Sequence, residues 1–282
     1  MSSPKHAILP GRSVGGELRA LRKQRGLTCV QVAAELGWQA SKISRMETGK
    51  QGVNPADAAS MLAIYRVVGV ERQRLLTLAE RDGEDAWWEL SGPLSEEVKT
   101  LIRLENEAIR IDSCQPLLVP GLLQTADYTR ALMKAGGMPE AEVEGRVAVR
   151  MGRQAVLSRD VPPEYHAIMD EMALRRVLGN PRVMARQLRQ LVDTAERPSV
   201  TLQVLPFDLG GHAGLDGPFT LLDFAEQGPV AFLDHKISGL FLDKPEELAF
   251  FQHEVDKLIE VALSPARSVE FIAGLARQYE QA

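Results

Sequence analysis

Apolar side chains in the first third of the chain recur at helical spacing. Val14, Leu18 and Leu21 fall at i, i+4 and i+7, with Arg19, Arg22, Lys23 and Arg25 largely off that stripe. This predicts a first helix, which Gly26 stops. Thr28 is a natural N-cap for a second helix ending at Leu36, with Gly37 as its stop, and Gln39–Thr48 reads as a third. Asn54-Pro55 opens a fourth in cap-then-proline order, and a fifth runs roughly from Glu71 to Glu80. Residues 94 to about 111 read as a long amphipathic helix, 116–124 as an apolar extended piece, and 126–135 and 139–157 as two more helices. Then the period changes. Tyr165–Met169, Val200–Phe207, Pro218–Phe224 and Val230–Ile237 are short β-branched or aromatic runs bounded by Gly or Pro, which predicts strands. Pro181–Glu196, Pro245–Leu263 and Ala266–Tyr279 read as helices. The expected fold class is mainly α with α+β: five N-terminal helices, then an α+β domain whose sheet has about four strands flanked by helices. The expected limits are an N-terminal arm over 1–12, a helical domain over 13–81, a linker over 82–92 and the α+β domain over 93–282.

Charge sharpens that division. The 282 residues carry a formal net charge of −5, which on its face argues against a polyanionic partner. The average hides a split: 13 Lys+Arg against 7 Asp+Glu in residues 1–82, a balance of +6, and 20 against 31 in residues 83–282, a balance of −11. A basic module joined to an acidic one follows. No stretch reaches the ~20 apolar residues of a membrane span. The opening MSSPKHAILPGRS lacks the apolar core of a secretory signal. Cys29 and Cys114 lie far apart without metal-ligand spacing, so neither a zinc site nor a disulfide framework is expected, and the expected location is the cytoplasm, at the nucleoid.

The segment Cys29–Thr48, CVQVAAELGWQASKISRMET, meets the demands of two short helices crossing at a tight turn. Val32 packs inward, Ala33 is small where the helices approach, Gly37 supplies the positive φ of the turn, and Ile43 and Met46 bury the inner face of the second helix. Gln39, Ala40, Ser41, Lys42, Ser44 and Arg45 are left largely outward. These residues suit a DNA major groove. Arg45 can contact guanine O6 and N7 together, Gln39 can read adenine, and Ser41 can serve base or phosphate, with Ala40 beside them. Lys42, Ser44, Lys50 and Arg12 suit phosphates. Trp38 either lies against the DNA backbone or packs over the turn.

On these residues the segment 13–80 resembles the Cro/repressor type of five-helix, lambda-repressor-like DNA-binding domain, the xenobiotic-response-element family. Val32, Ala33, Gly37 and Ile43 meet its small and apolar positions, and Glu47-Thr48-Gly49 its Glu-x-Gly ending. The resemblance implies a structural pair between Arg22 and Glu47. It also implies a phosphate-bonded glutamine at the first residue of the second helix. Here that residue is Cys29, a poor donor, so anchoring shifts to Gln31 or Thr28. The segments Pro116–Met133, Arg146–Leu157 and Val200–Phe224 are similar to actinobacterial regulators, among them the WhiJ-like group, that append an α+β domain to such a head. That resemblance implies transcriptional control, and an antitoxin-like arrangement with a small partner protein encoded nearby.

The second half offers weaker signals. Residues 211–217, GHAGLDG, run between two expected strands rather than into a helix, so they read as a hairpin loop or as a ligand or partner contact through His212 and Asp216. Arg146, Arg150 and Arg153 share one helix face, which is a solvated face, a salt-bridged face or an anion site. Asp170 and Glu171, adjacent on an expected strand, would point to opposite faces. His166, His212, His235 and His253 lack metal spacing, and no metal or cofactor is expected. Trp87 and Trp88 in the linker suggest a clamp between domains or subunits.

Together these readings predict a DNA-binding transcription regulator. A homodimer on a pseudo-palindromic operator is expected, because short helix-turn-helix units usually pair. Control would come from a small-molecule effector or a partner protein. The rival reading, an enzyme with a DNA-binding head, finds no GxSxG elbow, P-loop, HExxH or dinucleotide fingerprint, and no catalytic residue is expected.

Overall fold

The computed structural model describes residues 14–48, 51–84, 94–235 and 238–282. The expected linker pair Trp87 and Trp88, with Arg12 and Lys50, lies outside them. The chain divides into two compact units, Met1–Glu96 and Glu97–Ala282.

The first unit contains α1 (Val14–Gln24), α2 (Cys29–Leu36), α3 (Ala40–Glu47), α4 (Pro55–Ile64) and α5 (Gly69–Glu84). Each start has a local cause. Thr28 caps α2 in a reciprocal box, its hydroxyl accepting from Gln31 N while the Gln31 side chain accepts from Thr28 N. Asn54 caps α4 and Pro55 fills its first position. Gly37 ends α2 in the left-handed region at φ 66. Val14, Leu18, Val32, Ile43, Met61 and Leu75 are among the side chains that close the core, drawn from all five helices.

The second unit carries more strands than the periodicity predicts. Helix α6 (Glu96–Glu107) ends before residue 111, and the chain enters β1 (Arg110–Gln115). Next come a 3-10 turn at Gly121–Leu123, α7 (Ala126–Ala135), α8 (Glu140–Arg153), β2 (Glu164–Asp170), α9 (Glu171–Arg175), α10 (Pro181–Thr194) and β3 (Val200–Leu205). The remaining elements are β4 (Phe219–Asp223), β5 (Val230–His235), β6 (Ser238–Leu242), α11 (Pro245–Val261) and α12 (Pro265–Glu280). They form one six-stranded sheet in the order β3-β2-β1-β4-β5-β6. The three strands β1, β2 and β3 are parallel, and β4, β5 and β6 continue as an antiparallel meander. The expected four strands are all present; β1 and β6 are additions, and 116–124 is a coil with a 3-10 turn rather than an extended piece.

The edge strand β3 is covered. Leu263 N donates to Val204 O, Val204 N donates to the Ser268 hydroxyl, and the Gln203 amide reaches Leu263 O at 3.0 Å. The α11–α12 junction thus occupies backbone groups that an open edge would present to another chain. Cys114, Ile168, Phe219, Val255 and Leu258 pack where α11 meets the sheet.

Candidate nucleic-acid interface

The turn between α2 and α3 is built from the inside. Val32 and Ile43 are fully buried, Ala33 and Met46 nearly so. Behind them Arg22 of α1 reaches Glu47 of α3 through two charge-assisted bonds, Nε–Oε1 at 2.6 Å and Nη2–Oε2 at 2.7 Å. Arg22 Nη1 also donates to Leu27 O at 2.7 Å. Both residues are buried. The Glu47 bonds hold the Arg22 guanidinium above its ordinary pKa against the desolvation that opposes them. Cys29, where the resemblance places a phosphate donor, instead turns its thiol towards Glu47, 3.9 Å from Oε2.

The expected DNA-facing residues fall into two groups. Gln39, Ser41, Ser44 and Arg45 are exposed on α3 or at its N-cap. The Ser41 hydroxyl approaches Gln39 Oε1 at 3.4 Å and Arg45 Nε approaches Gln51 Oε1 at 3.3 Å, contacts long enough to exchange for a ligand. Ala40 is half-buried against the core, so it offers a methyl edge at most. Lys42 is engaged elsewhere: its ammonium pairs with Asp57 of α4 at 2.9 Å and lies 3.8 Å from the centre of the Trp38 ring. Trp38 itself packs partly against the core, over the turn. Thr28 and Gln31 are exposed but share the capping box; with Gln31 Oε1 taken, its amide nitrogen remains as the outward donor.

The candidate residues of the second unit do not converge. His212 is almost fully buried, and its Nε2 meets Asp170 Oδ2 at 3.0 Å. Asp170 is the last residue of β2 and caps α9, while Glu171 begins that helix and accepts from Phe207 N at 2.9 Å. The two carboxylates are therefore not strand neighbours on opposite faces; they pin both ends of 207–212. The glycine-rich segment is not a hairpin loop, because β3 and β4, which it helps to join, are separated in the sheet by β2 and β1, and it carries a 3-10 turn at Ala213–Asp216. Only Asp216 of the expected pair is exposed. On α8 Arg153 is salt-bridged rather than solvated: its side chain is largely shielded and pairs with buried Glu105 through two bonds of 2.9 and 2.6 Å. Arg150 lines a cavity instead. Sequence reasoning missed Glu105, whose partner lies 48 residues away; only the apolar stripe of α6 hinted that Glu105 faces inward. Among the described residues no cluster of His, Cys, Asp and Glu could hold a metal ion, both cysteines are free, and no helix is long and apolar enough to cross a membrane.

Residues 13–75 match a helix-turn-helix domain, and residues 98–274 match a domain of unknown function, DUF5753. The second match covers more than half of the 282 residues. The chain belongs to the DUF5753 family. No curated protein and no solved structure matches it. The DUF5753 match begins within α6 and ends within α12, so it takes in the whole six-stranded sheet. The helix-turn-helix match supports a DNA-binding regulator, with the DUF5753 domain as its second part.

Proposed function

We propose that this DUF5753 protein is a sequence-specific transcription regulator of the xenobiotic-response-element type. It binds as a homodimer to a pseudo-palindromic operator, α3 lying in the major groove and the DUF5753 domain setting the activity in response to a small ligand. The observation that carries the reading is the exposed row Gln39, Ser41 and Arg45 on a helix fixed from behind by the buried Arg22–Glu47 pair. Base readout needs such rigid placement, because a bidentate contact tolerates little displacement. Gln39 and Arg45 supply the reading groups, while the Gln31 amide, Thr28 and Ser44 suit phosphates. Lys42 acts as a brace to α4 rather than as a free phosphate ligand. A small ligand is favoured over a partner protein by the cavity inside the DUF5753 domain.

The test is selection of bound sequences from a random DNA pool, followed by titration of the enriched site. Arg45→Ala is expected to cost ~1–3 kcal/mol and to relax preference at one base pair per half-site. Full affinity with unchanged preference would reject the placement of α3. An enriched site without two related halves would reject the homodimer.

A further inference from the structure

The second unit contains a partly open cavity of about 100 Å³ between α8, the 116–124 coil and the sheet. A single buried water needs roughly 10–15 Å³, so a ligand of several heavy atoms fits. Its walls divide by character. Leu101, Ile111, Leu118, Leu122 and Phe232 form an apolar side, and two guanidinium groups, Arg150 and Arg153, enter from α8. Arg153 is satisfied by Glu105. Arg150 is not: among the described residues it makes no hydrogen bond to the protein and has no carboxylate within ion-pair distance. Asp234 also lines the cavity, but it is an exposed residue and acts on Arg150 only at longer range.

Loss of solvent around Arg150, together with the neighbouring Arg153 charge, pulls its pKa down to about 10. The group still stays charged at neutral pH. A desolvated cation without a partner is costly, and such groups in native proteins are paired or bind a ligand. The coil is shaped around it. The Arg150 guanidinium packs against Gly121 so closely that a Cβ there would overlap Nη1. The coil is itself held firm: Val119 N donates to the Tyr128 hydroxyl, and the Gln124 and Gln187 amides bond Val119 O and Leu123 O. The site is preformed rather than improvised.

We propose that this cavity binds a small carboxylate, its anionic head on Arg150 and a short hydrocarbon tail against the leucine and phenylalanine wall. A planar guanidinium fork matches a carboxylate in two parallel bonds, and the cavity is too small for a large anion such as a nucleotide. The proposal deepens the reading that a small ligand controls the protein, and rests on it only for the biological consequence.

The test uses the full chain, with butyrate and hexanoate as probes and 1-butanol and inorganic phosphate as controls, in calorimetric titrations. Butyrate or hexanoate is expected to bind, 1-butanol and phosphate at least tenfold more weakly. Arg150→Met is expected to weaken carboxylate binding at least tenfold while leaving the ligand-free melting temperature unchanged or higher, because it removes a half-buried charge that lacks an ion-pair partner among the described residues. Gly121→Ala keeps the charge but displaces its head, and is expected to weaken binding as well; it serves if Arg150→Met does not fold. The proposal is overturned if neither carboxylate binds, if phosphate binds as tightly, if neither variant weakens binding, or if Arg150→Met lowers the melting temperature as loss of a structural ion pair would. Operator affinity with and without saturating carboxylate is a separate arm. Binding without a change in DNA affinity would retain the cavity assignment and reject ligand control.

Discussion

Two arginines illustrate how much a residue's meaning depends on partners far away in sequence. Arg22 and Arg150 both sit on helices among other basic side chains, yet Arg22 is closed by Glu47, while Arg150 makes no hydrogen bond or ion pair among the described residues. The consequences of deletion should therefore have opposite signs. Removing one member of a buried pair strands the other, at a cost of about 3–5 kcal/mol. Arg22→Met is expected to lose that much by denaturant unfolding, and Glu47→Leu alone a similar amount, since the Arg22 charge then lacks its carboxylate. The double variant should recover most of the loss, because a well-packed apolar pair often replaces a buried ion pair at little cost. Additive losses in the double variant would mean that the pair is not a coupled unit. The Arg22–Glu47 pairing was legible only through resemblance to a known domain; no local rule links positions 25 apart. Arg150 was legible only as one of three arginines at helical spacing, because its environment is built by a coil and a sheet that the spacing does not see.

At the scale of elements, what could be read was whatever repeats with a period or ends with a cap. Helices α2, α4, α10 and α12 follow the caps Thr28, Asn54, Asn180 and Ser264, each accepting a backbone N–H through its side chain. Strands β2 and β3 announce themselves by short runs rich in β-branched, aromatic and aliphatic residues, most of them buried. Strand β1, with the sequence RIDSCQ, does not. Its Asp112 is fully buried and is satisfied by Arg110 at 2.9 and 3.1 Å and by His166 Nδ1 at 3.5 Å. A polar strand held by partners two residues and one strand away looks like the tail of a helix. The glycines show the same limit. Gly37 was read from its turn, and a side chain there would meet nothing, so Gly37→Ala should cost only the left-handed penalty of ~1–2 kcal/mol. Gly15 gave no signal, yet a Cβ on it would overlap the Met46 backbone carbonyl, because α1 and α3 touch there. Gly15→Ala has to move a helix axis. We expect it to destabilise the unit at least as much as Gly37→Ala, and also to weaken operator binding by displacing α3. Hydrogen–deuterium exchange over residues 14–47 in the full chain, beside DNA titration, checks both. Equal operator affinity in the two variants would show that α3 placement does not depend on α1.

For the whole molecule the deciding quantity is how charge is shared, +6 over residues 1–82 and −11 over 83–282. Contacts to phosphate release counterions and make binding fall steeply with salt whatever the base sequence. An acidic partner module opposes that approach at long range, without touching DNA. Its range is the Debye length, about 30 Å at 0.01 M salt and about 8 Å at 0.15 M. The repulsion should thus suppress non-specific binding at low salt and fade near physiological ionic strength. Glu196, Glu226, Glu260 and Glu270 are exposed and outside the ion pairs described above, so changing all four to Gln takes the acidic part from −11 to −7 with little effect on folding. The fourfold variant is expected to bind random-sequence DNA several-fold more tightly than the parent at 0.01 M salt. The two curves should converge by 0.15 M, so the variant shows the steeper salt slope. Operator preference at 0.15 M should be unchanged, since no base-reading group has been touched. Identical curves at 0.01 M would mean that the acidic part is held too far from the duplex to act. A gap persisting at 0.15 M would instead place those glutamates within direct reach of phosphate.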